Sequence, residues 1–261
     1  MVIPTNRVGP WMNAAVESVL SQVGVALELI VYLDAVDLPQ DTGWSVDPRV
    51  KLIHAERSHG VGFALQVACE TARGRYIARL DSDDIALPGR MALQVNYLDN
   101  HPETVAVSGQ VAWVNDDGER IGAFGHRPGG DVRGRLLQQN VVVQSAVMFR
   151  REAYRAVGGY SQLRQMEDYD LWLRLAAVGK IANIDAMILE YRIHENQVSR
   201  GVHPRETYVK VIYRERRILA RLLGKSRLSQ LSRDVAFGTA LYMMYYLPPA
   251  LIRKIRALTS R

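Results

Sequence analysis

The chain is expected to fold as an α/β protein, with a mainly parallel sheet flanked by helices and a helical extension at its C-terminal end. Three observations predict this. Strand-like and helical segments alternate over the first 85 residues, which calls for crossover connections and parallel pairing. Acidic residues recur where strands end, the edge at which α/β sheets bind ligands. Near residue 200 the composition changes: the chain carries a net charge of +6, but residues 201–261 hold +10, leaving −4 for residues 1–200. The sequence therefore divides into a body, 1–200, and a basic extension, 201–261. At 261 residues with 48% hydrophobic and 23% charged side chains, a sizeable core is expected.

Met1-Val2-Ile3 is a short strand ending at Pro4-Thr5-Asn6. Val8 to Leu20 reads as a helix, with Pro10 in its first turn and Met12, Val16, Val19 and Leu20 as its apolar stripe. Ala26 to Leu33 is a second strand and delivers Asp34. Residues 35–48 form a loop, Val50 to His54 a third strand, and Gly60 to Arg73 a helix closed by Gly74. Tyr76 to Leu80 is the fourth strand, followed at once by Asp81-Ser82-Asp83-Asp84. A helix spans Pro88 to Asn100, then a strand Val105 to Val114, a turn at Asn115 to Gly118 and a short strand near Ile121. Residues 125–130 are a Gly- and Pro-rich mobile loop; Val132 to Gln139 is a short helix and Ala146 to Phe149 a strand. Gly158-Gly159-Tyr160 turns the chain, Glu167-Asp168 opens a helix over Tyr169 to Val178, and Ile181 to Tyr191 is a strand leading to His194.

The extension reads as helical. His203 to Leu223 has an apolar stripe on a basic background. Val235 to Ile252 lacks formal charge but is broken by Pro248-Pro249, which leaves it short for a membrane span. Leu251, Ile252, Ile255 and Leu258 then recur beside Arg253, Lys254 and Arg256, the pattern of a basic amphipathic helix in an interface. Packing on the body, contact with a membrane surface and a true span are the three readings. No nucleic-acid motif is present. Cys69 is the only cysteine, which excludes an internal disulfide and fits a reducing compartment. No signal peptide is expected, because the chain enters an apolar strand and reaches Pro4 almost at once.

Three carboxylates within four residues repel one another. A divalent cation held by oxygen ligands, Mg²⁺ or Mn²⁺, would offset them. The same stretch reads equally as an acidic turn in which Asp84 caps the next helix. Asp34 reads also as a turn cap, Glu167 and Asp168 as carboxylates favoured by a helix dipole, and His194 as a solvent-facing histidine.

The segments taken in order resemble the family 2 glycosyltransferases of the GT-A fold. Val2-Ile3-Pro4-Thr5-Asn6 is similar to the family's opening strand and Pro-Thr turn, and Leu29 to Asp34 to its second strand with the nucleotide-binding aspartate. Ala72 to Asp84 resembles the approach to its DxD motif. Gly158-Gly159-Tyr160 with Glu167 to Leu175 resembles the segment bearing its catalytic carboxylate, and Tyr191 to His194 the stretch closing the catalytic domain. The chain departs where the family writes Asp-Asp-Gly-Ser and this sequence has Leu33-Asp34-Ala35-Val36.

The resemblance implies inverting transfer of a sugar from a nucleoside-diphosphate donor to a hydroxyl of a glycan or lipid-linked acceptor. It implies Asp168 as general base with Glu167 second. Asp83, Asp81 and His194 become the metal site for Mn²⁺ or Mg²⁺. Pro4, Thr5, Asp34, Asp81, Ser82 and Asp83 become the donor-binding set. Gln144 and Ser145 face the sugar or acceptor. Bacterial surface polysaccharide or lipid-linked oligosaccharide synthesis follows as the setting. The expected location is cytoplasmic, peripheral at the inner membrane through the C-terminal helices. A sugar-phosphate nucleotidyltransferase would need a Gly-rich basic loop after the first strand, where Pro4-Thr5-Asn6-Arg7-Val8-Gly9 stands. A phosphatase with an Asp-x-Asp pair would want a Thr or Val after it, where Asp84-Ile85 stands. A catalytically impaired nucleotide-sugar-binding protein is the reading from another class.

Overall fold

A computed structural model describes residues 1–39, 42–124, 130–163, 165–195, 197 and 206–246. In chain order the elements are β1 (Val2–Thr5), α1 (Met12–Leu20), β2 (Leu29–Asp34), a 3-10 turn (Gly43–Val46), β3 (Val50–Ala55), α2 (Val61–Thr71), β4 (Tyr76–Ala78), β5 (Ile85–Ala86) and α3 (Arg90–Asn100). They continue as β6 (Thr104–Val114), β7 (Arg120–Phe124), α4 (Arg133–Leu136), a 3-10 turn (Gln144–Ala146), β8 (Met148–Arg150), α5 (Arg151–Ala156), α6 (Glu167–Val178), β9 (Lys180–Arg192), α7 (Glu206–Leu222) and α8 (Arg227–Tyr246).

The sheet is mixed. β1, β2 and β3 pair in parallel. The second part runs β4-β8-β6-β9-β5, with β7 on β6. There β6 and β9 are parallel, while β4–β8, β6–β8, β5–β9 and β6–β7 are antiparallel. A parallel bridge from Val2 to Arg79 joins the two parts, and the Leu80 N–H donates to the Val2 carbonyl at 3.1 Å.

Both faces are covered, as parallel strands require. Alternate residues of β1 and β2 point to opposite sides. Val2, Ile30 and Tyr32 pack with α2, α6 and the extension, while Ile3, Leu29, Val31 and Leu33 pack with α1 and α3. Helix α1 buries Met12, Ala15, Val16 and Val19, one face at helical spacing. It starts at Met12 rather than Val8, because the chain first turns through Pro10 with Met12 N–H bonded to the Gly9 carbonyl. β4 ends at Ala78, and β5 and α5 are elements absent from the sequence reading.

The extension packs on the body. Ile212, Leu219, Ala220 and Phe237 share a core with Leu136, Tyr169 and Trp172. Phe237 sets its ring edge against Tyr169, and the buried Arg216 guanidinium lies 4.2 Å from the Phe237 ring centre. Arg216 also donates to the Leu137 carbonyl at 2.5 Å. Among the described residues no helix is long and apolar enough to cross a membrane. The Pro248-Pro249 break, the amphipathic stretch after it, residues 125–129 of the Gly- and Pro-rich loop and the start of the 203–223 helix lie outside the described residues.

Candidate active site

The C-terminal ends of β1 and β2 and the turn after β4 lie side by side, and the predicted site residues gather there. Asp81, Asp83 and Asp84 bring carboxylate oxygens within 4.8 Å of one another. Asp84 does not cap the next helix: α3 begins after Gly89, whose φ of 77° makes the turn, with no side-chain cap. Asp84 is instead buried, and one of its oxygens accepts from the Arg192 N–H at 2.9 Å. The other, Oδ2, is buried without a hydrogen-bond partner among the described residues.

Two buried guanidinium groups, Arg79 and Arg90, oppose the repulsion among these carboxylates, and Arg192 and His194 fix the turn around them. Arg79, almost fully buried, pairs with Asp81. Arg90, also buried, donates to the Arg79 carbonyl at 2.8 Å; burial lowers its guanidinium to about 9, with Asp84 opposing. Arg192 donates to the Asp83 carbonyl at 3.1 Å and lies over the Trp11 ring at 5.0 Å. His194 Nε2 meets Asp83 Oδ2 at 2.8 Å, and its ring leans on Trp11. Burial, with Asp81 nearby, still raises the Asp83 carboxyl, His194 opposing. Asp84 is raised well above the carboxylate range by burial and by Asp81 and Asp83. An oxygen-only donor set with one orphaned buried oxygen fits a hard divalent cation.

Thr5 and Asp34 end neighbouring strands and are both buried. The Thr5 hydroxyl donates to the Arg7 carbonyl at 2.5 Å. Asp34 is held by Ser58 Oγ at 2.7 Å, His59 N–H at 2.8 Å and Gly60 N–H at 3.1 Å, so it ties β2 to the start of α2. The next residue, Ala35, has φ 58°. The backbone thus keeps a left-handed turn, at some cost to a residue with a Cβ, where the resembled family writes glycine. Pro4 is buried beside them, and Ser82 is half-buried at the apex of the acidic turn.

Glu167 and Asp168 open α6, close enough to Arg79 to feel its charge. Met166 before them holds φ 61°, a conformation costly for a side chain with a Cβ. Glu167 is buried and accepts from Gln144 Nε2 at 3.3 Å. Burial and the charge of Asp168 raise its carboxyl to about 7. Asp168 is half-buried, accepting from Asn140 Nδ2 at 2.7 Å and from the Tyr169 N–H at 2.6 Å. Burial raises it, and these two donors and Arg79 oppose the rise. Arg79 therefore acts on both carboxylate groups. Ser145 is buried beneath the acidic turn, where its hydroxyl accepts from the Asp81 N–H at 2.9 Å. Asn140, Trp11 and Arg192 meet partners far along the chain, which leaves no local signal for them; Arg79 carries one, since it stands two residues before Asp81, the same-face spacing of an extended chain.

The family model described as glycosyl transferase family 2 matches residues 1–158. The amylovoran biosynthesis glycosyltransferase AmsE of Erwinia amylovora is 29% identical over 161 residues, covering 61% of this chain and 60% of that protein. The O-antigen biosynthesis glycosyltransferase WbnJ of Escherichia coli is 28% identical over 212 residues, covering 77% and 82%. The fold is similar to that of S. aureus TarS, crystallised with UDP-GlcNAc, at a TM-score of 0.68 and 15% identity over 94% of this chain and 72% of that one.

Proposed function

The chain belongs to glycosyl transferase family 2, and from that premise we propose that it moves a sugar from a nucleoside-diphosphate donor to a hydroxyl of a glycan or lipid-linked acceptor, with inversion. The observation that supports this most is the arrangement of two carboxylate groups from distant segments, Asp81-Asp83-Asp84 and Glu167-Asp168, around the buried cation Arg79. One group suits a diphosphate and its cation; the other suits a proton.

In this reading Pro4, Thr5 and Asp34 bound the nucleoside, and Ser82 lines the diphosphate. Asp81, Asp83 and Asp84 would hold Mn²⁺ or Mg²⁺, with His194 behind Asp83; when bound, such an ion neutralises the departing diphosphate as a Lewis acid. Asp168 takes the proton of the acceptor hydroxyl as its oxygen bonds to the anomeric carbon. The bond from that carbon to the diphosphate breaks on the opposite face, and the electron pair leaves with the diphosphate. Asp168 suits the base because it is the less buried of the pair and Asn140 fixes its orientation. Gln144 borders the sugar or acceptor through Glu167, while Ser145 holds the acidic turn from beneath. The setting proposed is surface polysaccharide or lipid-linked oligosaccharide assembly at the cytoplasmic face of a bacterial membrane. The relatives named for amylovoran and O-antigen biosynthesis support it.

The test is Asp168→Asn after a thermal-shift panel of nucleotide sugars with Mn²⁺ has found the donor. Transfer should fall by about a thousandfold, within the range for removing a general base, while donor affinity stays within about twofold. Near-normal turnover would remove Asp168 from the role.

A further inference from the structure

Helices α7 and α8 present a surface that the transfer chemistry does not use. On α8, Leu228, Leu231 and Val235 fall on one face at helical spacing, and Leu228 is 80% exposed. Away from this stripe the same helix buries Phe237 against the body, and Gln230 and Asp234 against α7. The exposed stripe is therefore a side left over after packing. Leu222, at the end of α7, is exposed as well. Ile218 and Val235 line a groove between the two helices, and Leu231 continues it toward their connection. The same groove is bordered by Arg214, Arg217, Arg221, Lys225 and Arg227, all exposed. Asp234 at its floor is engaged by Arg217 and by Gln230.

We propose that this α7–α8 face docks on an anionic lipid bilayer, the leucines entering the headgroup boundary and the arginines meeting lipid phosphates. Charge complementarity commits the surface to that occupant. The chain's own last residues, 247–261, carry Arg253, Lys254, Arg256 and Arg261 and no acid, so charge favours an anionic surface over them as the occupant. A second copy would oppose the same positive face to itself. Nucleic acid would meet the cations, but among the described residues the exposed large hydrophobic side chains of this face are aliphatic, and the one aromatic of the groove lining, Tyr213, is half-buried. Aliphatic residues interleaved with Arg and Lys are what an anionic bilayer surface selects. Docking here also moves the membrane contact from the far C-terminal stretch, where the sequence suggested it, to the α7–α8 connection.

The proposal rests on the lipid-linked reading of the acceptor only for its purpose, and its test contains no donor. The full chain is sedimented with vesicles of phosphatidylcholine alone and of phosphatidylcholine and phosphatidylglycerol in equal parts. Binding is expected to the anionic vesicles only. Leu228→Asp with Leu231→Asp, and separately Arg221→Glu with Arg227→Glu, should each lower the bound fraction about tenfold or more at unchanged melting temperature. A chain ending at Tyr246 should keep most of the binding. The proposal is overturned if the variants bind like the parent, if loss of residues 247–261 alone abolishes binding, if neutral vesicles bind as well, or if the variants instead disrupt a dimer or RNA binding. Donor-dependent transfer to a soluble acceptor, measured in the same variants, tests the transferase reading separately.

Discussion

Glu167 ionises only against resistance, because burial and the adjoining Asp168 raise its carboxyl from an ordinary 4.5 to about 7. The sign follows from proton linkage. Over that interval the native state holds a proton that the unfolded chain has released, so the contribution of Glu167 to stability is fully present below pH 4.5 and is lost as pH rises through 7. Glu167→Gln should remove this decline, giving a higher melting temperature than the parent above pH 7 and little difference below 4.5. Parallel profiles for the two proteins would assign the titration elsewhere. At the acidic turn, Asp83→Ala should cost about tenfold or more in donor affinity measured by calorimetry with Mn²⁺, and little without it. Equal affinities with Mn²⁺ would sink the metal assignment. These carboxylates were legible because they stand adjacent in the sequence. What holds them in place was not: Arg192 donates to the Asp83 carbonyl across 109 residues and His194 meets the Asp83 carboxylate across 111. A pattern read locally suggests a cation where charges crowd; the fold supplies the guanidinium groups of Arg79 and Arg90 as well.

The aim of α6 is set by an element that the sequence marked only as a turn. Gly158 and Gly159 both hold positive φ, and Arg174 donates to the carbonyls of Val157 and Gly159 at 2.6 and 2.7 Å while pairing with buried Asp170 at 2.6 Å. The helix that presents Glu167 and Asp168 is thus clamped to this turn. A Cβ on Gly159 would come within 2.7 Å of the Tyr154 hydroxyl and 2.5 Å of Gln66 Oε1. Gly159→Ala should therefore lower stability by roughly 2 kcal/mol in urea unfolding and reduce turnover as α6 tilts. An Ala variant with the parent's stability would show that the turn yields freely. Long periodic elements such as α1, α3 and β6 were legible because their apolar residues repeat. The two-residue β5 and the six-residue α5 have no room for a period, and β5 exists only through its antiparallel pairing with β9. Likewise the antiparallel pairings of β8 come from the path of the chain, which strand composition does not encode.

At the scale of the molecule, the charge shift near residue 200 suggested a boundary, yet the core crosses it. Ile212, Leu219 and Phe237 are buried against Tyr169, Trp172 and Leu136, and Arg216 is bonded to the Leu137 carbonyl. Full burial of a large apolar side chain contributes about 1.5–3 kcal/mol, so these three alone represent roughly 5–9 kcal/mol. That is comparable to the whole stability of a typical domain, about 5–15 kcal/mol. Removing residues 201–261 would also uncover the outer face of α6, whose first turn carries Glu167 and Asp168. A chain ending at residue 200 should then lose its cooperative melting transition and bind a hydrophobic dye. A chain ending at Tyr246 should melt as the parent does, because it retains every buried residue described in the extension. The comparison separates two ways in which a tail serves a catalytic body. If the shorter chain melts like the parent and still binds donor, the extension is an appendage and the boundary read from charge is a domain boundary. If it does not, α7 and the first half of α8 are part of the catalytic fold, and their basic outer face is the remainder that packing leaves free.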